Sequence, residues 1–347
     1  MTVVTRWVFD GLALPDGGAV RLELGAGEPQ ALPGRFALPG LVDSHCHLTV
    51  GQDEIGPRLF GREFAEARLD VLARAGVGVV RDVGGDRSIT LKLAAHQEEG
   101  RPVVLAAGRF LAPPGRYFPR MHEPVPAEDL VAAVEAELDD GATWVKLVGD
   151  FPAVDANGPV RGSAVEATYG IEIVTAVVAA AHERGARVAV HTNTEVVGPL
   201  IRAGIDSVEH GAGLTTDDLK LLGARCGAWT PTLCASVVGG PEDAPAARDR
   251  RRARSEHLAS LLPLAARYGV RILAGSDVVG TVAREVDLLV RHGLSVTEAL
   301  AAASTAAQDY LGVSVTEDLV TYDEDPRERP EVLASPAAVV LRGQRIR

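Results

Sequence analysis

Two histidines stand two residues apart in Pro39-Gly40-Leu41-Val42-Asp43-Ser44-His45-Cys46-His47. In an extended strand, positions i and i+2 face the same side, so His45 and His47 share a face and Cys46 points away. Two neutral imidazoles converging on one point make a common Zn²⁺ arrangement. Alone, the H-x-H spacing is weak, because two polar loop histidines look the same. Other apolar runs also end in ligand-type side chains: Val190-His191, Val208-Glu209-His210 and Gly275-Ser276-Asp277. Four of the nine histidines therefore fall at the ends of predicted strands, which chance placement rarely produces.

Lys146 belongs with them. Only three of the 35 basic residues are lysines (Lys92, Lys146 and Lys220), and Lys146 lies inside the apolar run Trp144-Val145-Lys146-Leu147-Val148. A charged lysine is rarely buried without a partner, and burial lowers its pKa. The neutral amine reacts with CO₂ to give a carbamate, an anionic two-oxygen group able to bridge two cations. Arginine cannot do this, whereas a surface lysine on a strand edge would carry no such meaning.

These residues need elements that bring them together. Eight short apolar runs occur at 37–43, 77–83, 102–107, 143–148, 187–191, 205–210, 227–232 and 270–276. They alternate with helical segments such as 61–75, 127–140, 166–184 and 247–268. Pro126-Ala127-Glu128-Asp129 is a helix-start pattern with acids in the first turn. Eightfold strand–helix alternation predicts an α/β protein with a (β/α)₈ TIM barrel over residues 37–317, its site at the C-terminal ends of the strands. The competing open doubly wound sheet lacks its Gly-rich phosphate loop, and Gly84-Gly85 reads only as a turn. Residues 1–36 and 318–347 alternate polar and apolar between Gly and Pro. They predict antiparallel strands forming one small composite β-sandwich domain from both termini.

Composition narrows the partners. The 347 residues carry 35 basic and 47 acidic side chains, a net charge of −12, which argues against a nucleic-acid backbone. The Arg248–Arg254 cluster reads as a solvated helix face or an interface. No apolar run reaches about 18 residues, so no membrane-spanning helix is expected. No signal peptide is visible at the start, and three cysteines make no disulfide framework. A cytoplasmic protein acting on a small molecule, possible as a homo-oligomer, is the resulting expectation. Cys226 and Cys234 read as small core residues, and His96, His257 and His292 as helix-surface residues. His182 stands in the last turn of a helix.

The motifs together resemble the amidohydrolase superfamily, closest to its imidazolonepropionase-like and prolidase-like branch, over nearly the whole chain. PGLVDSHCHL is similar to its signature, Ala142–Lys146 to its carboxylated-lysine strand, and Val188–His191 and Ala203–Gly211 to its next two metal strands. Ala274-Gly275-Ser276-Asp277 is similar to its catalytic aspartate strand. The resemblance implies a binuclear centre, expected to hold two Zn²⁺ ions. His45, His47 and Asp277 would hold one metal, His191 and His210 the second, with carboxylated Lys146 between them. The branch's Gly-Gly-His loop is absent; the chain instead reads Leu111-Ala112-Pro113-Pro114-Gly115-Arg116-Tyr117-Phe118-Pro119-Arg120-Met121-His122.

The expected activity is metal-dependent hydrolysis of an amide or cyclic amide C–N bond by a metal-activated hydroxide, with Asp277 as the proton shuttle. A dipeptide or N-acyl amino acid is one expected substrate; a lactonase or phosphotriesterase on the same metal centre is the alternative. Substrate contacts are expected from the loops at 48–60, 109–126 and 149–165, with Arg116, Tyr117, His122, Arg161 and Asn193 as candidates and Thr232 as a further pocket residue. Arginine suits a substrate carboxylate.

Overall fold

Short β-branched runs form parallel strands that alternate with helices, giving a mixed α/β fold. The computed structural model describes residues 5–240, 244–314 and 316–347. Leu41–Cys46, Val77–Asp82 and Val103–Ala106 make one parallel sheet in chain order. Phe110–Leu111, Trp144–Val148, Arg187–Thr192, Ser207–His210, Ala228–Thr230 and Arg271–Ile272 make a second.

Backbone hydrogen bonds connect the edges of the two sheets. Thr143 N–H donates to the Ala106 carbonyl at 3.2 Å. At the other edge Ser44 N–H donates to Ala274 O at 2.8 Å and Asp277 N–H to His45 O at 2.7 Å. Cys46 and Asp277 form a parallel bridge there.

The strands supply one inner cluster, Val42, Val79, Trp144, Ala189, Ala228 and Leu273, with Ala307 and Leu311 packed against it. Polar residues of the same strands, including Ser44, Arg81, Glu209 and Thr230, are fully buried. Helices cover the strands with apolar stripes; Val282–Arg291 buries Val282, Val286, Leu288 and Leu289. Its neighbour Val296–Ala302 starts with a reciprocal Ser295–Glu298 capping box.

Seven strands from the two ends of the chain share one further sheet: Thr5–Ala13, Gly18–Leu24, Glu28–Ala31, Phe36–Leu38, Leu319–Tyr322, Ala338–Leu341 and Gln344–Arg345. They are not all antiparallel as expected: Glu28–Ala31 and Phe36–Leu38 both run parallel to Thr5–Ala13. After the hairpin the chain reverses at 25–27, and residues 28–37 then run along the other edge of Thr5–Ala13 in its own direction.

Other expectations need correction. The helix read over 166–184 begins at Ile171; Val165–Ala167 is a strand paired with Asp150–Pro152, because Tyr169-Gly170 breaks the run. Cys226 is exposed rather than core, because it sits in the left-handed region (φ 55°) of a turn after the helix Thr216–Ala224. His292 is buried rather than on a helix surface. Its Nδ1 lies 2.7 Å from Leu288 O and its Nε2 2.9 Å from Ser255 Oγ, which satisfies both ring nitrogens.

Candidate metal centre

The strand Leu41–Cys46 ends one residue before His47, so His45 lies in the strand and His47 just past it. Their ring centroids are 5.1 Å apart. His45 Nδ1 faces Glu209 Oε2 at 2.6 Å, and His47 Nδ1 faces Gly84 O at 2.8 Å. His210 Nδ1 lies 2.6 Å from Thr232 Oγ1, whose hydroxyl donates to Pro231 O. The acceptors assign the Nδ1–H tautomer to all three rings, which leaves each Nε2 lone pair available.

His45, His47 and Asp277 bring ligand atoms within 4.8 Å of one another. His47 Nε2 lies 3.6 Å from Asp277 Oδ1, and His210 Nδ1 lies 3.9 Å from Asp277 Oδ2. The His191 and His210 rings are 4.5 Å apart. Lys146 reaches the same cavity from the middle of Trp144–Val148. The structure thus gathers His45, His47, Lys146, His191, His210 and Asp277 around one cavity.

This donor set fits a divalent cation. Among the described residues His45 Nε2 and Lys146 Nζ are buried polar atoms without a hydrogen-bond partner, and such orphaned atoms are rare and costly unless a ligand meets them. Burial, reinforced by the Lys146 charge, pushes His47 and His191 down to about 3, so both imidazoles are neutral donors at neutral pH. His45 and His210 are lowered in the same direction, again mainly by burial. Burial lowers Lys146 to about 8, toward the neutral amine.

Backbone strain marks the same place. His210, Thr232 and Asp277 have φ of 66°, 46° and 57°, in the left-handed region disfavoured for side chains with a Cβ. At Asp277 the neighbouring acid holds the turn: Asp43 accepts from Ser276 N–H at 2.9 Å and from Ser276 Oγ at 2.5 Å. Asp150 does the same beyond His191, accepting from Thr192 Oγ1, Asn193 N–H and Thr194 N–H at 2.7–2.9 Å.

A buried ionic layer supports the cluster from below. Arg81 donates to Glu209 Oε1 at 2.8 Å and to Ser44 O at 2.5 Å, and its guanidinium lies 4.4 Å from the Trp144 ring centroid. Ser207 Oγ donates to Glu209 Oε1 at 2.6 Å. Burial pushes Glu209 up, but the Arg81 and Lys146 charges outweigh it and hold the carboxyl below its usual range. Glu209 therefore stays ionised and orients His45. Sequence reading missed Asp43, Arg81 and Asp150 as site-building residues and named Glu209 only as a ligand-type side chain beside His210. The available signal was a charge inside an apolar run, as in Val79-Val80-Arg81-Asp82. The Gly84 carbonyl left no side-chain signal at all.

The cavity, about 190 Å³, is walled by Val50, Tyr117, Phe118, Met121 and Val278. Of the expected substrate contacts, Tyr117 lines it. Arg116 instead donates to Glu166 at 2.6 Å and to Phe151 O. Arg161 is exposed outside the wall. His122 sits behind Tyr117, ring to ring at 5.5 Å, with Nδ1 on Phe118 O. Asn193 Nδ2 lies 3.2 Å from His191 Nε2, and Thr232 acts on His210 rather than on the cavity.

Parallel strands thus bring a buried His/Asp/Lys cluster to one cavity. The chain belongs to the amidohydrolase family, whose model matches residues 36–317. It is 34% identical to an uncharacterized protein of Mycobacterium tuberculosis (strain H37Rv), over 96% of this chain and 94% of that one. It is 28% identical to imidazolonepropionase of Micrococcus luteus, over 61% of this chain and 56% of that one. Its fold matches a Xaa-Pro dipeptidase crystallised with methionine in its active site (TM-score 0.79, 22% identity, 99% of each chain). It also matches a prolidase complexed with N-methylphosphonate-L-proline (TM-score 0.77, 21% identity, 98% of this chain and 99% of that one).

Proposed function

We propose that this protein is a metal-dependent hydrolase of a carboxamide C–N bond, working on a (β/α)₈ barrel beside a small β-domain made from both termini. The observation that carries the proposal is the pair of orphaned buried nitrogens, His45 Nε2 and Lys146 Nζ, facing one cavity with His47, His191, His210 and Asp277. The hydrogen bonds at both sheet edges support the closed barrel.

His45, His47 and Asp277 would hold one divalent ion and His191 and His210 a second, with Lys146 as the carbamate between them. Bound there, the ions would supply Lewis acidity, lowering the pKa of water and polarising a carbonyl. The chain's own residues do the rest. Glu209 and Gly84 O fix the His45 and His47 tautomers, and Thr232 fixes that of His210. Asp277 is held by its backbone N–H to His45 O and by Arg68, which donates to the Asp277 carbonyl at 3.3 Å. Its carboxylate takes the proton of the attacking water and gives it to the leaving nitrogen. A C–O bond forms, the C–N bond breaks, and amide plus water becomes acid plus amine.

The test is chelation and reconstitution. Metal-stripped protein should lose turnover of an amide panel and regain it with about two equivalents of Zn²⁺. Asp277→Ala should retain metal at His191 and His210 but lose on the order of 10²–10⁴ in kcat, the usual weight of a general acid–base. Full turnover by the chelated protein, or by the Asp277 variant with its metal intact, would refute the proposal.

A further inference from the structure

Resting on the amide-hydrolysis reading, we infer that the cavity takes an uncharged substrate whose apolar flank packs on Val50, Phe118, Met121 and Val278 while the Tyr117 hydroxyl donates a hydrogen bond to it. Away from the His/Asp/Lys cluster the wall is apolar and aromatic except for Gln52, and among the described residues no arginine lines it. Lys146 is the one cationic side chain there, and it faces the His/Asp cluster.

The arginines adjacent in sequence to the cavity's lining residues are engaged elsewhere. Arg58 and Arg120 each reach Asp53 at 2.9 Å, and Arg58 lies over the Phe60 ring at 3.8 Å. Arg116 is paired with Glu166. Arg68 donates to the carbonyls of Val50, Asp277 and Val278 and so braces the rim from behind. With the reacting amide at the His/Asp cluster, a carboxylate elsewhere on the substrate would lie on this wall, shed water and meet no guanidinium, and an unpaired buried charge is strongly disfavoured.

Whereas Gln52 stands at the exposed rim, Tyr117 is an uncommitted polar group deep in the wall. Its ring is clamped by Phe110, Phe118 and Phe151, with centroids 4.9–5.3 Å away. Its hydroxyl makes no hydrogen bond to any described residue, and the Asp277 carboxylate acts on it electrostatically. A clamped ring with a free hydroxyl beside the reacting centre is a positioned donor for a substrate oxygen.

The test uses a hydrolysis-resistant pair, N-butylbenzenesulfonamide and 4-(benzenesulfonamido)butanoate, which differ by one terminal carboxylate. Calorimetric titration into metal-loaded protein should give a Kd at least about tenfold lower for the neutral ligand. Gln52→Arg, a substitution at the exposed rim, should narrow that gap by strengthening the carboxylate's binding. Tyr117→Phe should weaken the neutral ligand by up to about tenfold, the worth of one hydrogen bond, with metal stoichiometry unchanged. Equal or tighter binding of the carboxylate by the unmodified protein overturns the inference, and an unchanged Kd in Tyr117→Phe overturns the role of the hydroxyl. Amide turnover is measured on the same samples. A neutral preference without turnover would remove the hydrolytic reading and leave the specificity standing, so the two failures are distinct.

Discussion

Glu209 shows how much of this site lies beneath the residues that face the cavity. It is fully buried, holds His45 Nδ1 at 2.6 Å, and neutralises Arg81, which has no other carboxylate partner among the described residues. Glu209→Gln keeps the shape but removes the charge. It leaves Arg81 uncompensated, a loss on the order of 3–5 kcal/mol for a broken buried pair. It also weakens the hold on the His45 tautomer, so metal affinity should fall about 10–100-fold, as for other groups that orient a metal-binding histidine. Competition against a chromophoric chelator measures the second effect and denaturant unfolding the first. Unchanged metal affinity in a folded Glu209→Gln protein would reject the orienting role. Five of the six cavity-facing residues were legible because polar types at the ends of apolar runs are conspicuous, and Lys146 because a lysine inside such a run is rare in this chain. Arg81 and Glu209 also sit in apolar runs, but an isolated charge near the end of a run reads as the edge of a strand. Only the fold shows that the two charges meet 128 positions apart.

At the scale of elements, the site depends on how closely the last strand approaches the first. Gly275 sits where a Cβ would lie 2.5 Å from His45 Cβ and 2.7 Å from Thr230 Cγ2. Both contacts are too short for real atoms, so Gly275→Ala must push strand from strand at the point where His45 and Asp277 are brought together. Overpacking of this kind typically costs about 1–3 kcal/mol. The sharper expectation is a loss of metal affinity at the His45–His47–Asp277 position exceeding that at His191 and His210, read as a change in the ratio of two stepwise binding constants. A uniform loss, or none, would show that the approach of these strands does not set the site. The strand order was readable from period and length, since buried parallel strands appear as short β-branched runs. The ends were less readable. Val165–Ala167 and the hairpin Val50–Gln52 with Pro57–Leu59 lie in segments whose composition reads as loop or helix, and only partner strands make them extended.

The molecule as a whole is joined at a seam where one acid has no good partner. Asp318 precedes the strand Leu319–Tyr322 of the terminal sheet and accepts from Arg342 N–H at 2.6 Å. Its second oxygen is buried without a hydrogen bond among the described residues, against Gly40, just before the strand Leu41–Cys46, and Gly78 in Val77–Asp82; a Cβ at Gly78 would lie 2.1 Å from it. Burial pushes Asp318 from an ordinary carboxyl value up to about 6, so the folded protein binds this proton more tightly than the unfolded chain does. The sign follows from linkage. Asp318's contribution is fully present below the unfolded pKa, near 4, and is lost as pH rises through about 6. Asp318→Asn cannot ionise and keeps its acceptor for Arg342. The stability difference, variant minus unmodified protein, should therefore grow in the variant's favour by up to about 3 kcal/mol between pH 4 and pH 8. Urea unfolding of both proteins across that range measures it, with metal content matched so that the cavity cluster contributes equally. A difference that stays flat with pH would mean that water or a rearranged partner reaches Oδ2, and that the two sheets do not meet over a dry carboxyl.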